Sequence, residues 1–175
     1  MAGLVPAIHA ERLPKKTGNY QRGPAWMPGT RPGMTVVNVP LEVSDLRTGE
    51  IEAAVTLWEA CGLTRPWNDP RADIALALAK PSSTVLAGRI GEKLVATAMT
   101  GSDGHRGWVY YLGVAPDFRR EGFGATMMQA AADWLKARGV PKLHVMIRTE
   151  NVAVAAFYAK LGYETSDTIT LAKRL

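Results

Sequence analysis

A chain of 175 residues, 47% of them apolar, suits one domain with its own core. Its single cysteine excludes a disulfide framework, and three scattered histidines exclude a Cys/His zinc cluster, so no metal site is expected. The net charge of +5 would suit a nucleic-acid partner, but residues 1–40 hold five basic residues against Glu11 alone, whereas residues 41–175 hold 16 basic and 15 acidic. A nearly neutral remainder has no basic face, and nucleic-acid binding is not expected of it.

No apolar run approaches the ~20 residues of a membrane span. The start, M-A-G-L-V-P-A-I-H-A, does not read as a signal peptide: it lacks a basic region, Pro6 interrupts it, and His9, Glu11 and Arg12 follow. A soluble cytoplasmic protein is the expectation. The first 40 residues contain five Gly and six Pro without apolar periodicity. Such a composition buries too little surface to offset the entropy of ordering, so residues 1–34 are expected to be a disordered extension and 35–175 the domain. The phrase P-A-W-M-P-G-T-R-P-G-M resembles translated repeats at over-extended starts of bacterial reading frames, which would make Met34 the initiator. A basic nucleic-acid-binding arm is the alternative.

From Thr35 the texture changes. T-V-V-N-V-P-L-E-V is β-branched and alternating, a first strand with Pro40 pointing to an edge or bulge. Thr48–Cys61 has helical spacing in Ile51, Ala54, Val55, Leu57 and Trp58, with Gly62 as its stop. Arg65–Pro70 is a loop ending in a helix start, Asp69 as N-cap and Pro70 in the first turn; Ile74, Leu76 and Leu78 mark the helix, and Pro81 closes it. Ser83–Ile90 and Leu94–Thr100 flank Gly91-Glu92-Lys93 as a hairpin, and Trp108–Val114 is a further strand. Gly124–Arg138 carries Met127, Met128, Ala131, Trp134 and Leu135 on one stripe, with Gly139 beyond its end. Lys142–Arg148 alternates as a buried strand, Asn151–Leu161 is a helix, and Thr168–Leu171 is a last strand. This order predicts an α/β domain with a mixed sheet. Cys61 is expected to be buried and His144 structural.

The chemistry concentrates in Arg119-Arg120-Glu121-Gly122-Phe123-Gly124-Ala125, between a strand and a helix. A helix N-terminus offers unpaired amides and partial positive charge, two glycines let the backbone close round an anion, and the arginines add charge. A phosphate or pyrophosphate is the natural ligand. The loop lacks the G-K-S/T of a nucleotide-triphosphate loop and the third small residue of a dinucleotide fingerprint.

What remains is Q/R-x-x-G-x-G/A after a strand, and L-G-V-A-P-D-F-R-R-E-G-F-G-A-T-M-M resembles the acetyl-CoA signature of the GCN5-related N-acetyltransferase (GNAT) family. N-V-A-V-A-A-F-Y-A-K-L-G-Y resembles that family's later motif. More narrowly, L-W-E-A-C-G-L-T-R-P-W-N-D-P and D-G-H-R-G-W-V-Y-Y-L-G-V are similar to bacterial YpeA-type acetyltransferases.

The resemblance implies a mixed, mostly antiparallel sheet flanked by helices and splayed where acetyl-CoA binds, with no metal. It implies that the amides of Arg120, Glu121, Gly122, Phe123, Gly124 and Ala125, with Arg119, cradle the pyrophosphate. Leu112, Gly113 and Val114 would run beside the pantetheine arm, the Val114 amide facing the thioester oxygen. Tyr158 would be the general acid for the leaving thiolate, its phenol being protonated at neutral pH. Asn151 would touch pantetheine or cap its helix; both readings stay open. Where many relatives carry an acidic base this chain has Tyr110 and Tyr111. Asp103, His105, Glu59 or a water relay are the candidates for deprotonating the amine. Trp67, Arg65 and Asp69 would form a wall of the acceptor site, although Trp67 packed as a lid over the core is the plainer alternative. The implied function is acetyl transfer from acetyl-CoA to a primary amine on an unidentified small molecule or protein, the alternative being a non-catalytic acyl-CoA sensor. Dimers are common in the family, so a homodimer is an open expectation.

Overall fold

The computed structural model describes residues 40–173. The extension expected over 1–34 and the first part of the strand expected from Thr35 lie outside the described residues. One sheet runs in the order β1 (Glu42–Asp45), β2 (Ser83–Ile90), β3 (Lys93–Ser102), β4 (Gly107–Val114), β5 (Leu143–Val145). Every pairing is antiparallel except β4 with β5, which is parallel. This is the mixed, mostly antiparallel α/β sheet that the sequence implies.

Period-2 alternation sends β2 to both faces. Val85 and Ala87 pack with Ala54, Val55 and Trp58 of α1 (Ile51–Ala60) and Ile74 and Ala77 of α2 (Pro70–Leu78). Leu86 packs on the opposite face with Met127, Met128 and Ala131 of α3 (Phe123–Lys136) and Tyr158 of α4 (Val152–Lys160). Asp69 caps α2 as expected, its Oδ1 accepting from the backbone N–H of Arg71 at 2.9 Å, with Pro70 in the first turn. A 3₁₀ turn, Thr48–Glu50, takes what the sequence assigns to the start of α1. Among the described residues no helix is long and apolar enough to cross a membrane.

Three expectations need correction. Thr168–Leu171 is not a strand: Ile169 and Leu171 alternate correctly but stand 85% and 86% exposed. Alternation selects a face, and it supplies no partner strand to pair with. Lys142–Arg148 forms only the three-residue β5, half-buried, with Met146 50% exposed beyond it. Cys61 is half-buried rather than buried.

Candidate functional site

The short β5 has a direct consequence for β4. Pairing between them covers Gly107, Trp108 and Val109 and then stops. Among the described residues, β4 from Tyr110 to Val114 keeps β3 on one side and no strand on the other. That is the expected splay. Ala115 donates its N–H to the Val95 carbonyl at 2.8 Å. Groups alternate along an antiparallel ladder, so the N–H and C=O of Val114 point away from β3, into the unpaired edge. The Val114 carbonyl accepts from Cys61 Sγ and from Arg119 Nε, both at 3.3 Å. These contacts fix the end of the strand.

The connection from β4 to α3 starts with a 3₁₀ turn, Pro116–Phe118, and then turns left-handed twice, at Arg120 (φ 69°) and Gly122 (φ 82°). Gly122 is the N-cap of α3 and supplies no side-chain cap. The amides of Arg120, Glu121, Gly122, Phe123 and Gly124 donate no hydrogen bond among the described residues. Ala125, also expected to face the pyrophosphate, instead donates to the Gly122 carbonyl at 2.9 Å. A Cβ on Gly122 would meet nothing within 4 Å, so only its φ demands glycine. Gly124 is glycine for a different reason: a Cβ there would lie 3.3 Å from the Phe157 ring, where α4 closes on α3.

Tyr158 lies one residue further along α4, 7% exposed and packed edge-on between Phe157 and Tyr163. It shares its apolar cluster with Leu112 and Val114. Burial, with a lesser contribution from Tyr163, pushes its phenol up to about 12, so the hydroxyl keeps its proton throughout the neutral range. Asn151 caps α4, its Oδ1 accepting from the Val154 N–H at 3.4 Å.

Asp103 and His105 are not brought to this place. They lie beyond the first residue of β4, and seven residues at ~3.3 Å each put Gly107 roughly 20 Å from Val114. Asp103 is also fully engaged. It accepts from the backbone N–H of Arg106 at 2.7 Å and of His105 at 2.8 Å, and from the Trp108 indole at 3.0 Å. Those bonds, from Arg106 first, then Trp108 and His105, hold its carboxyl well below the usual carboxylate range. It is a loop-builder, and its basicity is low. His144 packs against Trp108 with ring centroids 5.0 Å apart, at that same end.

On the α1–α2 side an open cavity of about 380 Å³ is lined by Glu59, Thr64, Arg65, Pro66, Asn68 and the helix start at Pro70 and Arg71. The segment leading to it touches the open end of β4: a Cβ on Gly113 would lie 3.1 Å from Leu63 and 3.4 Å from Cys61 Sγ. Trp67 stands 59% exposed, so it does not pack down as a lid over the core. Arg65 is tied to the Gly62 and Thr64 carbonyls at 2.9 and 2.7 Å, and Asp69 to its helix cap. Sequence reasoning missed the Trp58, Thr97, Tyr111 and Asp73 cluster behind this end of β4. A single sequence carries no signal for it beyond the paired tyrosines.

The Acetyltransferase (GNAT) family model matches residues 51–163, which include the open edge, the amide-lined loop and α4. An acetyltransferase of Pectobacterium atrosepticum is 47% identical over 135 residues, covering 77% of this chain and 96% of that one. One of Yersinia enterocolitica is 45% identical over the same coverage. In fold, the chain is similar to AAC(6')-Iy in complex with a CoA-S-monomethyl-acetylneamine bisubstrate analogue, at a TM-score of 0.68 and 14% identity over 78% of this chain and 99% of that one. It is also similar to the ribosomal-protein-S18-alanine N-acetyltransferase of Escherichia coli, at 0.63 and 24% identity over 73% and 79%. With a family model spanning most of the domain and relatives at this identity, the chain belongs to the acetyltransferase (GNAT) family, as an enzyme of acetyl transfer.

Proposed function

We propose that the chain transfers an acetyl group from acetyl-CoA to a primary amine carried by a small molecule or a protein. The observation that carries this reading is the edge of β4, unpaired among the described residues, where the Val114 N–H faces outward shortly before five amides that have no partner among those residues. Pantetheine would complete that edge as a strand does, its pyrophosphate held by the amides of Arg120 to Gly124 at the start of α3, with Arg119 alongside. The Val114 amide would donate to the carbonyl oxygen as negative charge develops there. The neutral amine attacks the carbonyl carbon, the C–S bond breaks, and the thiolate takes the Tyr158 proton. The amine's own proton leaves to Glu59, directly or through water, since Glu59 lines the cavity beside the open end of β4. Asp103 and His105 have no part in it. The named neighbours fit an amine acceptor: one binds an acetylneamine analogue, the other is named for an alanine of a ribosomal protein.

The test is acetyl-CoA binding to Gly122→Val. A β-branched residue at φ 82° is strained, and its methyls would project into the space the pyrophosphate needs. Binding should weaken at least ~10-fold, about 1.4 kcal/mol, in a folded variant. Unchanged affinity would defeat the assignment. A wild-type protein that binds acetyl-CoA yet releases no thiol with any of a broad amine panel would instead be a sensor.

A further inference from the structure

The β4 ladder contains one residue too many. Thr97 and Met99 are two apart on β3, but their partners Gly113 and Tyr110 are three apart on β4. The extra residue falls at Tyr111–Leu112, and the alternation slips there. Val109 packs on the α3–α4 face, Tyr111 on the α1–α2 face, and Leu112 and Val114 on the α3–α4 face again. Tyr111 absorbs the irregularity at a φ of 49°, a left-handed conformation in which a bulky aromatic residue is an outlier.

Its side chain explains how that conformation persists. The ring lies flat on the buried Trp58, centroids 3.8 Å apart and planes within 11°. Trp58 in turn donates its indole N–H to Thr97 Oγ1 at 2.8 Å, and Thr97 donates that hydroxyl to the Tyr111 carbonyl at 3.1 Å. The Tyr111 hydroxyl donates to Asp73 Oδ2 on α2 at 2.5 Å. Burial and the Asp73 bond push the phenol up, with Asn68 opposing, so it remains the donor. Backbone and side chain of one residue are thus both held, from β3, from α1 and from α2.

We infer that Tyr111 is a positioning residue for acetyl transfer, whose clamp by Trp58, Thr97 and Asp73 holds the bulge that aims the Val114 amide into the open edge. The inference rests on the role proposed above for Val114. It also ties two halves of the site together. Asp73 belongs to the helix that begins where the acceptor-side loop ends, so one side chain sets the thioester-side amide relative to the acceptor wall.

The experiment is an acetyl-CoA titration of the full ¹⁵N-labelled chain, following the Val114 and Gly122 amides. In the wild type both resonances should move. In Tyr111→Phe, which keeps the stacked ring and loses the Asp73 bond, Gly122 should respond as before while the Val114 response falls to about half or less. Tyr111→Leu, lacking the stack, should lose it further. Asp73→Ala should mimic Tyr111→Phe, and Asp73→Asn, which keeps an acceptor oxygen, should restore the Val114 response. Thiol release from acetyl-CoA should fall roughly 10-fold in kcat in Tyr111→Phe with KM within about twofold, the pattern of a misplaced group. An unchanged Val114 response in both Tyr111 variants overturns the proposal. So does a parallel loss at Val114 and Gly122, which would mean general support of the fold. A wild type in which Gly122 moves and Val114 does not overturns it as well. If neither moves, acetyl-CoA does not bind here, and it is the reading of the site that fails.

Discussion

The two sides of this sheet are built on opposite terms. On the β1–β2 side all four residues of β1 pair with β2, and the buried charge of β2 is neutralised, so this side is closed in its pairing. Arg89, 2% exposed in β2, is paired with Glu50 through Nε and Nη2 at 2.7 and 2.5 Å, and bonded to Ser44 Oγ at 2.7 Å and the Asp45 carbonyl at 3.1 Å. At β4 and β5 pairing ends after three residues, one residue sits in a strained conformation, and backbone donors face outward. A strand edge left open would ordinarily be a liability. Under the function proposed above, it is the place where acetyl-CoA would pair.

That contrast can be broken at several points. The largest effect is expected at Tyr158→Phe. The ring and its packing survive, so acetyl-CoA affinity should stay within a few-fold, while thiol release with an accepted amine falls ~10²–10⁴-fold, the usual cost of losing a general acid. Wild-type turnover, with chemistry shown to be rate-limiting, would remove Tyr158 from the mechanism.

The closed side should answer in stability instead. Glu50→Gln keeps the shape but leaves the Arg89 charge buried and unneutralised, which should cost ~3–5 kcal/mol and lower Tm by roughly 10–20 °C. The Arg89 bond first, with the Arg47 backbone N–H assisting, lowers the Glu50 carboxyl from 4.5 to about 2. Below pH 4.5 the unfolded chain takes up a proton that the folded chain refuses. Stability from this group is therefore complete above pH 4.5 and drains away as pH falls towards 2, a loss of at most ~3 kcal/mol. Glu50→Gln should flatten that acid limb in melts taken from pH 6 to 2.5. An equally steep limb in the variant would assign it to other carboxylates.

Asp103→Asn should matter less. The loop at the paired end of β4 would loosen, yet turnover should stay within about twofold, because the end proposed to carry the chemistry is a strand length away. A fall of ~10²-fold would restore Asp103 as a base. Least of all should follow from removing residues 1–33, whose composition gives them little apolar surface to bury. A Tm shift of more than a few degrees on truncation would contradict that.

Much of the proposed site was legible in advance because its features are local. Among the described residues the amides of Arg120 to Gly124 have no partner where a strand turns into a helix, and Gly122 and Gly124 mark that turn in sequence. Tyr158 is singled out by the resemblance of Asn151–Tyr163 to the family's later motif, and it falls on the helix expected there. The failures are non-local. Asp103 and His105 precede β4 closely in sequence, but a strand carries chemistry away from its neighbours at ~3.3 Å per residue. Thr168–Leu171 has the pattern of a strand without a partner. Arg89 in S-T-V-L-A-G-R-I reads as a polar interruption until Glu50, 39 residues earlier, is seen to meet it.

The sequence by itself therefore determined the class of the fold, the order of its elements as far as α4, the glycine turn before α3 and the family to which these residues point. It could do so because apolar period, caps and glycine turns act over a few residues. The tertiary structure alone decided where β4 parts from β5, that Tyr111 and not its neighbour absorbs the bulge, and which side the Val114 amide faces. The conformation of Tyr111 is held by contacts from Thr97, Trp58 and Asp73, 14 to 53 residues away in sequence. No local pattern encodes which of them will meet.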